Sequence, residues 1–190
     1  MVINIRATNG AGKSTIVKQL MAQAICKPIY GTFGPKFPEA YQLTPKDTLP
    51  WIEDKPLYII GPYHSPTGGI DAISGRGLEL VIGLLDKYVS KGHMLFEGMM
   101  ISTAFGSIGE WLEKHKAEAI VAVLDTPLEV CLNSLRGRQA TSTRSAGGEK
   151  HVEAHWNAIQ GVAEKMKKMG MRVETLERDR AAETIRGWLQ

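Results

Sequence analysis

Residues 7–15 read ATNGAGKST, directly after a short apolar run and directly before an amphipathic helical pattern. The phosphate-binding P-loop pattern is a glycine, four residues, and then Gly-Lys-Ser/Thr. Gly12, Lys13 and Ser14 match this pattern, while Ala7 stands where the first glycine is usual. Because a strand before the loop and a helix after it are the context that such a loop needs, the stretch predicts a phosphate site.

Each residue type in this loop suits the binding of a nucleotide phosphate. Small residues let successive backbone N–H groups curl around a phosphate, and the following helix adds the positive end of its dipole. The Lys13 ammonium reaches the β- and γ-phosphates of a nucleotide, and the Ser14 hydroxyl is a ligand for Mg²⁺. The sequence therefore predicts ATP and Mg²⁺ as cofactors. The residues expected to hold the nucleotide are Asn9, Gly10, Ala11, Gly12, Lys13, Ser14 and Thr15.

Beyond the loop, strand-like runs alternate with helical patterns along the chain. The runs expected to form strands are Val2–Ile5, Leu57–Gly61, His93–Glu97, Ala119–Leu124 and Met171–Leu176. The stretches expected to form helices are Ser14–Ile25, Leu78–Val89, Ser107–Lys116, a helix that starts at Thr126-Pro127, Val152–Met169 and Ala181–Leu189. Such alternation is typical of a parallel sheet with helices on both faces, so an α/β fold with five parallel strands is predicted.

Length and composition exclude several classes of protein. The chain has 190 residues, of which 43% are hydrophobic and 23% charged, so it is neither disordered nor fibrous. A net charge of +3 permits an anionic partner without requiring one. Cys26 and Cys131 make no disulfide framework, and no apolar run approaches the roughly 20 residues that cross a bilayer. We expect one domain over residues 1–190, in the cytoplasm and without membrane association.

Residues 123–138, VLDTPLEVCLNSLRGR, resemble small-molecule and nucleotide kinases of the P-loop class. In those kinases a strand ends in Asp-x-Pro, a helix follows, and arginines open a mobile lid. The resemblance implies a three-layer P-loop kinase fold with strand order 2-3-1-4-5 and a basic lid over residues 136–150. Arg136 and Arg138 would then act on the transferred phosphoryl group and Arg144 would bind the nucleotide. A solvated basic loop is the alternative.

Two carboxylates are expected at the catalytic edge of the sheet. Glu97 ends the third predicted strand, which in this order lies beside the P-loop strand, so it is predicted to ligate Mg²⁺ together with Ser14. Asp71 follows the second strand, and in P-loop kinases an acid there often takes the proton of the acceptor hydroxyl. Asp71 is equally well explained as a helix N-cap, in which case Glu97 is the next candidate for the base.

The segment after the second predicted strand is expected to line the acceptor site. Gly68 and Gly69 would keep side chains out of the space in front of Asp71, and Tyr63 would stack on the acceptor. Arg76 would hold a phosphate of the acceptor, unless it is an ordinary surface arginine. This segment therefore supplies the predicted substrate-binding residues.

Residues 28–56 show no clear period and are predicted to form an irregular insert that contributes to acceptor binding. Aromatic and basic side chains are dense in and near it: Tyr30, Phe33, Phe37, Tyr41 and Trp51, with Lys27, Lys36, Lys46 and Lys55. Such a surface can stack bases and hold phosphates. An ordinary loop anchored by aromatic residues is the alternative.

Three blocks of the chain are together similar to the small P-loop kinases encoded by bacteriophages: residues 3–15, the TGGID block at 67–71 and the KGHMLFEG block at 91–98. Within that group the chain resembles the 5-hydroxymethyluracil DNA kinases. The resemblance implies phosphorylation of the hydroxymethyl group of a modified pyrimidine in DNA, in the cytoplasm of a phage's host. Two alternatives stay open. One is a deoxynucleoside monophosphate kinase, whose acceptor is a free deoxynucleotide, and the other is a nucleotide-binding ATPase module without phosphoryl transfer.

Overall fold

A computed structural model describes residues 1–46, 55–64, 68–73, 77–139 and 148–190 of the chain. The strands in this part are β1 (Val2–Arg6), β2 (Ala24–Ile29), β3 (Ala40–Pro45), β4 (Leu57–Ile60), β5 (His93–Glu97), β6 (Ala119–Asp125) and β7 (Arg172–Glu177). They form one sheet in the order β2-β3-β4-β5-β1-β6-β7. The fold is therefore α/β with a mixed, mostly parallel sheet.

Helices cover both faces of the sheet. They are α1 (Lys13–Ala22), α2 (Leu78–Val89), α3 (Met99–Thr103), α4 (Gly106–Lys114), α5 (Leu128–Gln139), α6 (Glu149–Lys168) and α7 (Ala181–Trp188). Buried residues of α2, α3, α4 and most of α6 pack with one face of the sheet, and those of α1, α5 and α7 pack with the other. Two separate apolar clusters result, because side chains of successive strand residues point to opposite faces.

The predicted order of the five parallel strands is confirmed. The strands β4, β5, β1, β6 and β7 lie side by side in that order, and each pairs in parallel with its neighbour. In chain order of the predicted strands this is 2-3-1-4-5. The register places Ile5 of β1 opposite Glu97 of β5, so Glu97 lies beside the strand that enters the phosphate loop.

The expectation of only five strands, all parallel, is wrong, because β2 and β3 add an antiparallel hairpin at one edge. Helix α1 ends at Ala22, and the residues expected to continue it to Ile25 begin β2 instead. Three of the six residues of β2, Ile25, Lys27 and Pro28, are exposed, and they lie on both faces of the strand. The edge strand therefore lacks the regular alternation of apolar and polar residues that marks a half-buried strand. The same stretch carries Pro28, which is tolerated at a sheet edge but weakens the sequence signal for a strand.

The hairpin brings its own loop to the functional edge of the sheet. Ile29 pairs with Ala40, and Ala40 pairs with Ile60 at the carboxyl end of β4. Residues 30–39, which join β2 to β3, therefore lie at the edge where the parallel strands end. Lys46 and Lys55 follow β3 and precede β4, so they lie at the opposite edge and do not join a surface around residues 30–39.

Two local features differ from the expected helices. Asp71 lies in a short 3₁₀ helix, Ile70–Ala72, and does not begin α2, which starts at Leu78. Helix α3 had no clear signal in the sequence, because it has only five residues. Among the residues that the structure describes, none of the helices has the length and hydrophobicity that a membrane crossing requires.

Candidate active site

The phosphate loop between β1 and α1 depends on two glycines with positive φ. Gly10 has a φ of 81° and Gly12 a φ of 101°, which side-chain-bearing residues rarely adopt. A Cβ on Gly10 would lie 2.2 Å from the carbonyl oxygen of Cys131, so the loop packs against α5 at a distance that only glycine allows. The predicted tight loop before a helix is present.

The ammonium group of Lys13 is enclosed by the same loop. Lys13 is 6% exposed, and its Nζ donates hydrogen bonds to the carbonyl oxygens of Ala7 at 2.7 Å and Thr8 at 3.0 Å. The loop is fixed from two further sides, since Thr8 Oγ1 donates to the Val152 carbonyl and Thr126 Oγ1 donates to the Ala11 carbonyl, each at 3.1 Å. A fixed loop with an inward cation is suited to an anionic ligand.

Glu97 faces the first turn of α1. Its Oε1 accepts a hydrogen bond from Ser14 Oγ at 2.8 Å and from the hydroxyl of the buried Tyr63 at 3.2 Å. Burial raises the pKa of the Glu97 carboxyl, an effect that the charge of Lys13 opposes. One carboxylate and one hydroxyl side by side suit Mg²⁺, which takes few protein oxygens and completes its shell with water and phosphate.

Gly68 and Gly69 pack closely against Tyr63 and Glu97. A Cβ on Gly69, whose φ is 76°, would lie 2.6 Å from the Glu97 carbonyl oxygen and 2.7 Å from its Oε1. A Cβ on Gly68 would lie 2.6 Å from the Tyr63 ring. The absence of side chains on the two glycines thus leaves room for the Glu97 carboxylate and the Tyr63 ring. The sequence had suggested instead that they leave open the space in front of Asp71.

The carboxylate of Asp71 caps a helix other than its own. Its Oδ2 accepts a hydrogen bond from the Met99 N–H at 2.5 Å, and its Oδ1 accepts one from the Met100 N–H at 3.1 Å. These are the first N–H groups of α3, which follows Glu97. A Cβ on Gly98 would lie 2.9 Å from Asp71 Oδ1, so Gly98 makes this contact possible. The two acids that the sequence predicted for the site are therefore neighbours.

A buried arginine that the sequence analysis missed connects the loop to α3. Arg6 at the end of β1 is fully buried; its Nε donates to Asn4 Oδ1 at 2.6 Å and its Nη1 to the carbonyl oxygens of Ser102 and Ala104. Burial lowers the pKa of the Arg6 guanidinium to about 9. A charged residue within the apolar run VINIRA was the signal that could have revealed it.

A second missed residue, Arg178, lies beside the loop. A Cβ on Gly12 would be 3.1 Å from the Arg178 Nε, so the guanidinium is adjacent to the start of α1. Arg178 follows the last residue of β7, and this position at the carboxyl end of a parallel strand was the available signal. A cavity of about 210 Å³ opens here, lined by Gly12, Thr15, Ile16, Gln19, Arg178 and Asp179.

The predicted arginines of the lid and the acceptor site are described only in part. Arg136 lies near the end of α5, is half-exposed, and its Nε donates to Glu149 Oε1 at 2.7 Å, which joins α5 to the start of α6. The Glu149 carboxylate raises the pKa of this guanidinium. Arg138 is also on α5, with its side chain outside the described part of the chain. Arg76 and Arg144 lie outside the described residues.

Comparison with known proteins decides the family. A curated protein of Pseudomonas phage M6, named 5-hmdU DNA kinase, is 33% identical over 137 residues, which are 72% of this chain and 71% of the relative. The chain belongs to the 5-hmdU DNA kinase family. A 5-hmdU DNA kinase of Pseudomonas phage PaMx11 is 29% identical over 192 residues, covering 100% of this chain and 97% of the relative. Membership in the 5-hmdU DNA kinase family confirms the prediction of a P-loop kinase.

Neither family models nor solved structures add to this assignment. No protein-family model matches the chain. Among solved structures, the deoxyadenosine kinase from M. mycoides with bound dATP aligns over 100% of this chain and 96% of that chain, at 15% identity and a TM-score of 0.38. The assignment to the 5-hmdU DNA kinase family rests on the sequence relatives alone.

Proposed function

We propose that the chain transfers the γ-phosphoryl group of ATP to the hydroxymethyl oxygen of 5-hydroxymethyluracil in DNA. The observation that carries this proposal is the contact of Ser14 Oγ with Glu97 Oε1 at 2.8 Å, next to the enclosed Lys13 ammonium, in a member of the 5-hmdU DNA kinase family. A cation at a phosphate loop beside an oxygen pair that suits Mg²⁺ is the arrangement that phosphoryl transfer needs.

The donor nucleotide lies along the phosphate loop in this proposal. Backbone N–H groups of residues 9–15 bind the β-phosphate, and Lys13 stabilises the charge that develops on the transferred group. Ser14 and Glu97 hold Mg²⁺, which supplies electrostatic stabilisation of the phosphate oxygens when bound. The base of the nucleotide occupies the cavity between α1 and Arg178, because that cavity opens directly beside the loop.

In the proposed chemical step, the acceptor hydroxymethyl oxygen forms a bond to the γ-phosphorus. The bond from that phosphorus to the oxygen bridging the β- and γ-phosphates breaks, and ADP leaves with the bonding electron pair. The hydroxyl proton passes to Asp71. Asp71 accepts backbone hydrogen bonds from the first turn of α3, and a carboxylate offers about four acceptor positions in all, so capping α3 is compatible with taking this proton.

We also assign Arg136, Arg138 and Arg144 to a lid that covers the donor phosphates. The ion pair between Arg136 and Glu149 supports this assignment, because it joins the two helices on either side of residues 140–148. The γ-phosphate and Glu149 would compete for the same guanidinium, since Arg binds phosphate and carboxylate alike through charge-assisted hydrogen bonds.

The depth of the site has a consequence for the DNA. Glu97 is 1% exposed and Tyr63 is 6% exposed, so the groups beside the phosphate loop lie below the protein surface. A base stacked within a duplex does not reach such a position, and the acceptor base has to leave the stack at a cost of a few kcal/mol.

The test is incubation of the purified chain with γ-labelled ATP and four acceptors: duplex DNA with 5-hydroxymethyluracil, the same duplex with thymine, single-stranded hydroxymethylated DNA, and a mixture of free deoxynucleoside monophosphates. We expect label only in the two hydroxymethylated DNAs. Label only in mononucleotides would replace the proposal with a deoxynucleoside monophosphate kinase. Release of inorganic phosphate without any labelled acceptor would indicate an ATPase module.

A further inference from the structure

An aromatic pair lies on the surface at the edge of the sheet that carries the phosphate loop. Phe37, in the loop between β2 and β3, is 40% exposed, and its ring centroid lies 5.3 Å from that of the exposed His64 at an interplanar angle of 53°. The two rings come from different segments, since His64 follows β4. They meet at the edge of the sheet where the parallel strands end, which is the edge of the phosphate loop.

His64 places the pair next to the catalytic groups along the chain. His64 is the next residue after Tyr63, whose hydroxyl lies 3.2 Å from Glu97 Oε1. The Tyr63 ring also packs edge-on against Tyr41 at 6.3 Å, and the Tyr63 backbone N–H donates to the Tyr41 hydroxyl at 3.3 Å. The segment that carries His64 is thus tied, through Tyr63, to the carboxylate beside the phosphate loop.

The loop that carries Phe37 is fixed by a buried acid. Glu39 is fully buried, and its carboxylate accepts hydrogen bonds from the Thr32 N–H at 2.9 Å, the Thr32 hydroxyl at 2.7 Å and the Tyr88 hydroxyl at 2.6 Å, and it pairs with Lys87. Burial opposes ionisation, but these donors outweigh it and lower the pKa of Glu39 to about 2. The exposed Phe37 is therefore presented by an anchored loop.

Charge at the pair suits a nucleic acid. The exposed Lys36 directly precedes Phe37, at the same edge of the sheet. An aromatic face beside a cation is the combination with which proteins hold unstacked bases and their phosphates.

We propose that Phe37 and His64 form the stacking face for the acceptor pyrimidine after it has left the DNA stack, with Lys36 at the phosphate of a flanking nucleotide. This inference rests on the proposed function and names the residues that select its acceptor. Because the rings are tilted, the base stacks on one ring and meets the edge of the other. The contact acts on the base itself, so it operates in single-stranded and duplex DNA alike.

The test compares Phe37→Leu and Phe37→Tyr with Ile25→Ala, an exposed apolar residue at the opposite edge of the sheet. Stacking of one base on an aromatic side chain is worth about 1–3 kcal/mol, which corresponds to about a 5- to 150-fold change. We expect Phe37→Leu to raise the KM for hydroxymethylated DNA by a factor in that range, equally for single-stranded and duplex substrates, with the KM for ATP unchanged. Phe37→Tyr keeps an aromatic ring and should keep the wild-type KM for hydroxymethylated DNA, and Ile25→Ala should also have the wild-type KM.

The lysine is tested separately. Lys36→Ala should reduce the slope of log affinity against log salt by about one, because one phosphate contact is lost. Lys55→Ala, an exposed lysine at the opposite edge, should leave the slope unchanged.

Several outcomes overturn the inference. An unchanged KM for DNA in both Phe37→Leu and His64→Ala, with melting temperatures that show folded protein, removes the stacking face. If Phe37→Leu raises the KM for duplex DNA but not for single-stranded DNA, Phe37 fills the gap that the extruded base leaves in the double helix and does not contact that base. If the wild-type chain labels only free deoxynucleotides, the proposed function fails. A raised KM of Phe37→Leu for that nucleotide then still supports the stacking face, and an unchanged KM overturns it.

Discussion

The hydroxyl of Tyr63 and the hydroxyl of Ser14 donate hydrogen bonds to the same atom, Oε1 of Glu97, from 3.2 Å and 2.8 Å. Ser14 belongs to the phosphate loop, whereas Tyr63 follows β4 in the segment expected to bind the acceptor. A single carboxylate oxygen therefore joins the two halves of the site. Burial raises the pKa of Tyr63 well above its ordinary value, and the nearby Glu97 carboxylate adds to this, so Tyr63 acts as a hydrogen-bond donor.

Tyr63→Phe should keep the fold and weaken the site. The ring stays packed while Glu97 loses one donor, which costs about 1 kcal/mol for an ordinary buried hydrogen bond and corresponds to about a fivefold effect. We expect the Mg²⁺ concentration that gives half the maximal rate to rise by about that factor, as measured by magnesium titration at saturating ATP. Tyr58→Phe, a buried tyrosine of β4, is the control and should give the wild-type titration curve.

Ser14→Ala and Glu97→Gln should both impair the use of Mg²⁺. Each removes one of the two oxygen ligands expected for the metal, so the magnesium requirement should rise or the rate should fall by about 10-fold or more. Addition of EDTA should abolish activity in the wild type. A Glu97→Gln protein with an unchanged magnesium titration would contradict the assignment.

Lys13→Ala should abolish phosphoryl transfer without unfolding the chain. The ammonium is expected to stabilise charge on the transferred group, and loss of one such electrostatic contact typically lowers kcat by about 10²–10³-fold. Single-turnover kinetics with labelled ATP measure the effect, and circular dichroism checks the fold. Lys18→Ala, on the same helix, should behave as the wild type; near-normal turnover by a folded Lys13→Ala protein would refute the role of the loop.

Asp71→Asn separates the proton acceptor from the helix cap. The amide oxygen of Asp71→Asn keeps one hydrogen bond to α3. The free energy of unfolding should therefore fall by well under the roughly 1 kcal/mol that is typical for loss of a cap. Asp71→Ala, which removes the cap, should show that full loss. The rate should nevertheless fall by about 10²–10⁴-fold in both variants while ATP still binds, because the base is gone. Full activity in Asp71→Asn would leave Asp71 as a cap alone and direct attention to Glu97.

The buried Glu39 carboxylate should make the free energy of unfolding depend on pH. Its pKa is lowered from 4.5 to about 2 on folding, so its stabilising contribution is complete above about pH 4.5 and is lost as the pH falls toward 2. Glu39→Gln should lower the free energy of unfolding at pH 7 by about 1–3 kcal/mol, because its donors lose their charged acceptor. Urea unfolding at pH 7, 4 and 2.5 should show that the difference in the free energy of unfolding between wild type and Glu39→Gln becomes smaller as the pH falls. Glu118→Gln, at an exposed acid, is the control.

Local signals in the sequence predicted the phosphate loop and the parallel strands correctly. The loop is a contiguous pattern whose glycines meet a backbone requirement at Gly10 and Gly12. The strands β1, β5 and β6 are almost fully buried, so their apolar runs are unambiguous. Alternation with helices and the resemblance to P-loop kinases then gave the strand order, from which the position of Glu97 beside the loop followed.

The hairpin and the contacts between distant segments were not predictable in the same way. The β2 strand is exposed at the sheet edge and contains a proline, so neither burial nor periodicity identifies it. The Asp71 carboxylate reaches N–H groups 28 and 29 residues away, and no short-range pattern records such a pairing. Arg178 likewise approaches Gly12 only through the folding of β7 beside β6.

The antiparallel hairpin separates the loop that we propose to contact the acceptor from the residues that we propose to bind the phosphates. Residues 30–39 join β2 to β3 and are held against α2 by Glu39, and β4 separates this hairpin from β5, which ends at Glu97. Changes in the exposed residues of this loop should therefore leave the spacing of β5, β1 and the phosphate loop unchanged. If this loop contacts the acceptor as proposed, such a kinase can acquire a new acceptor through changes in one surface loop, while its use of the nucleotide donor is inherited intact.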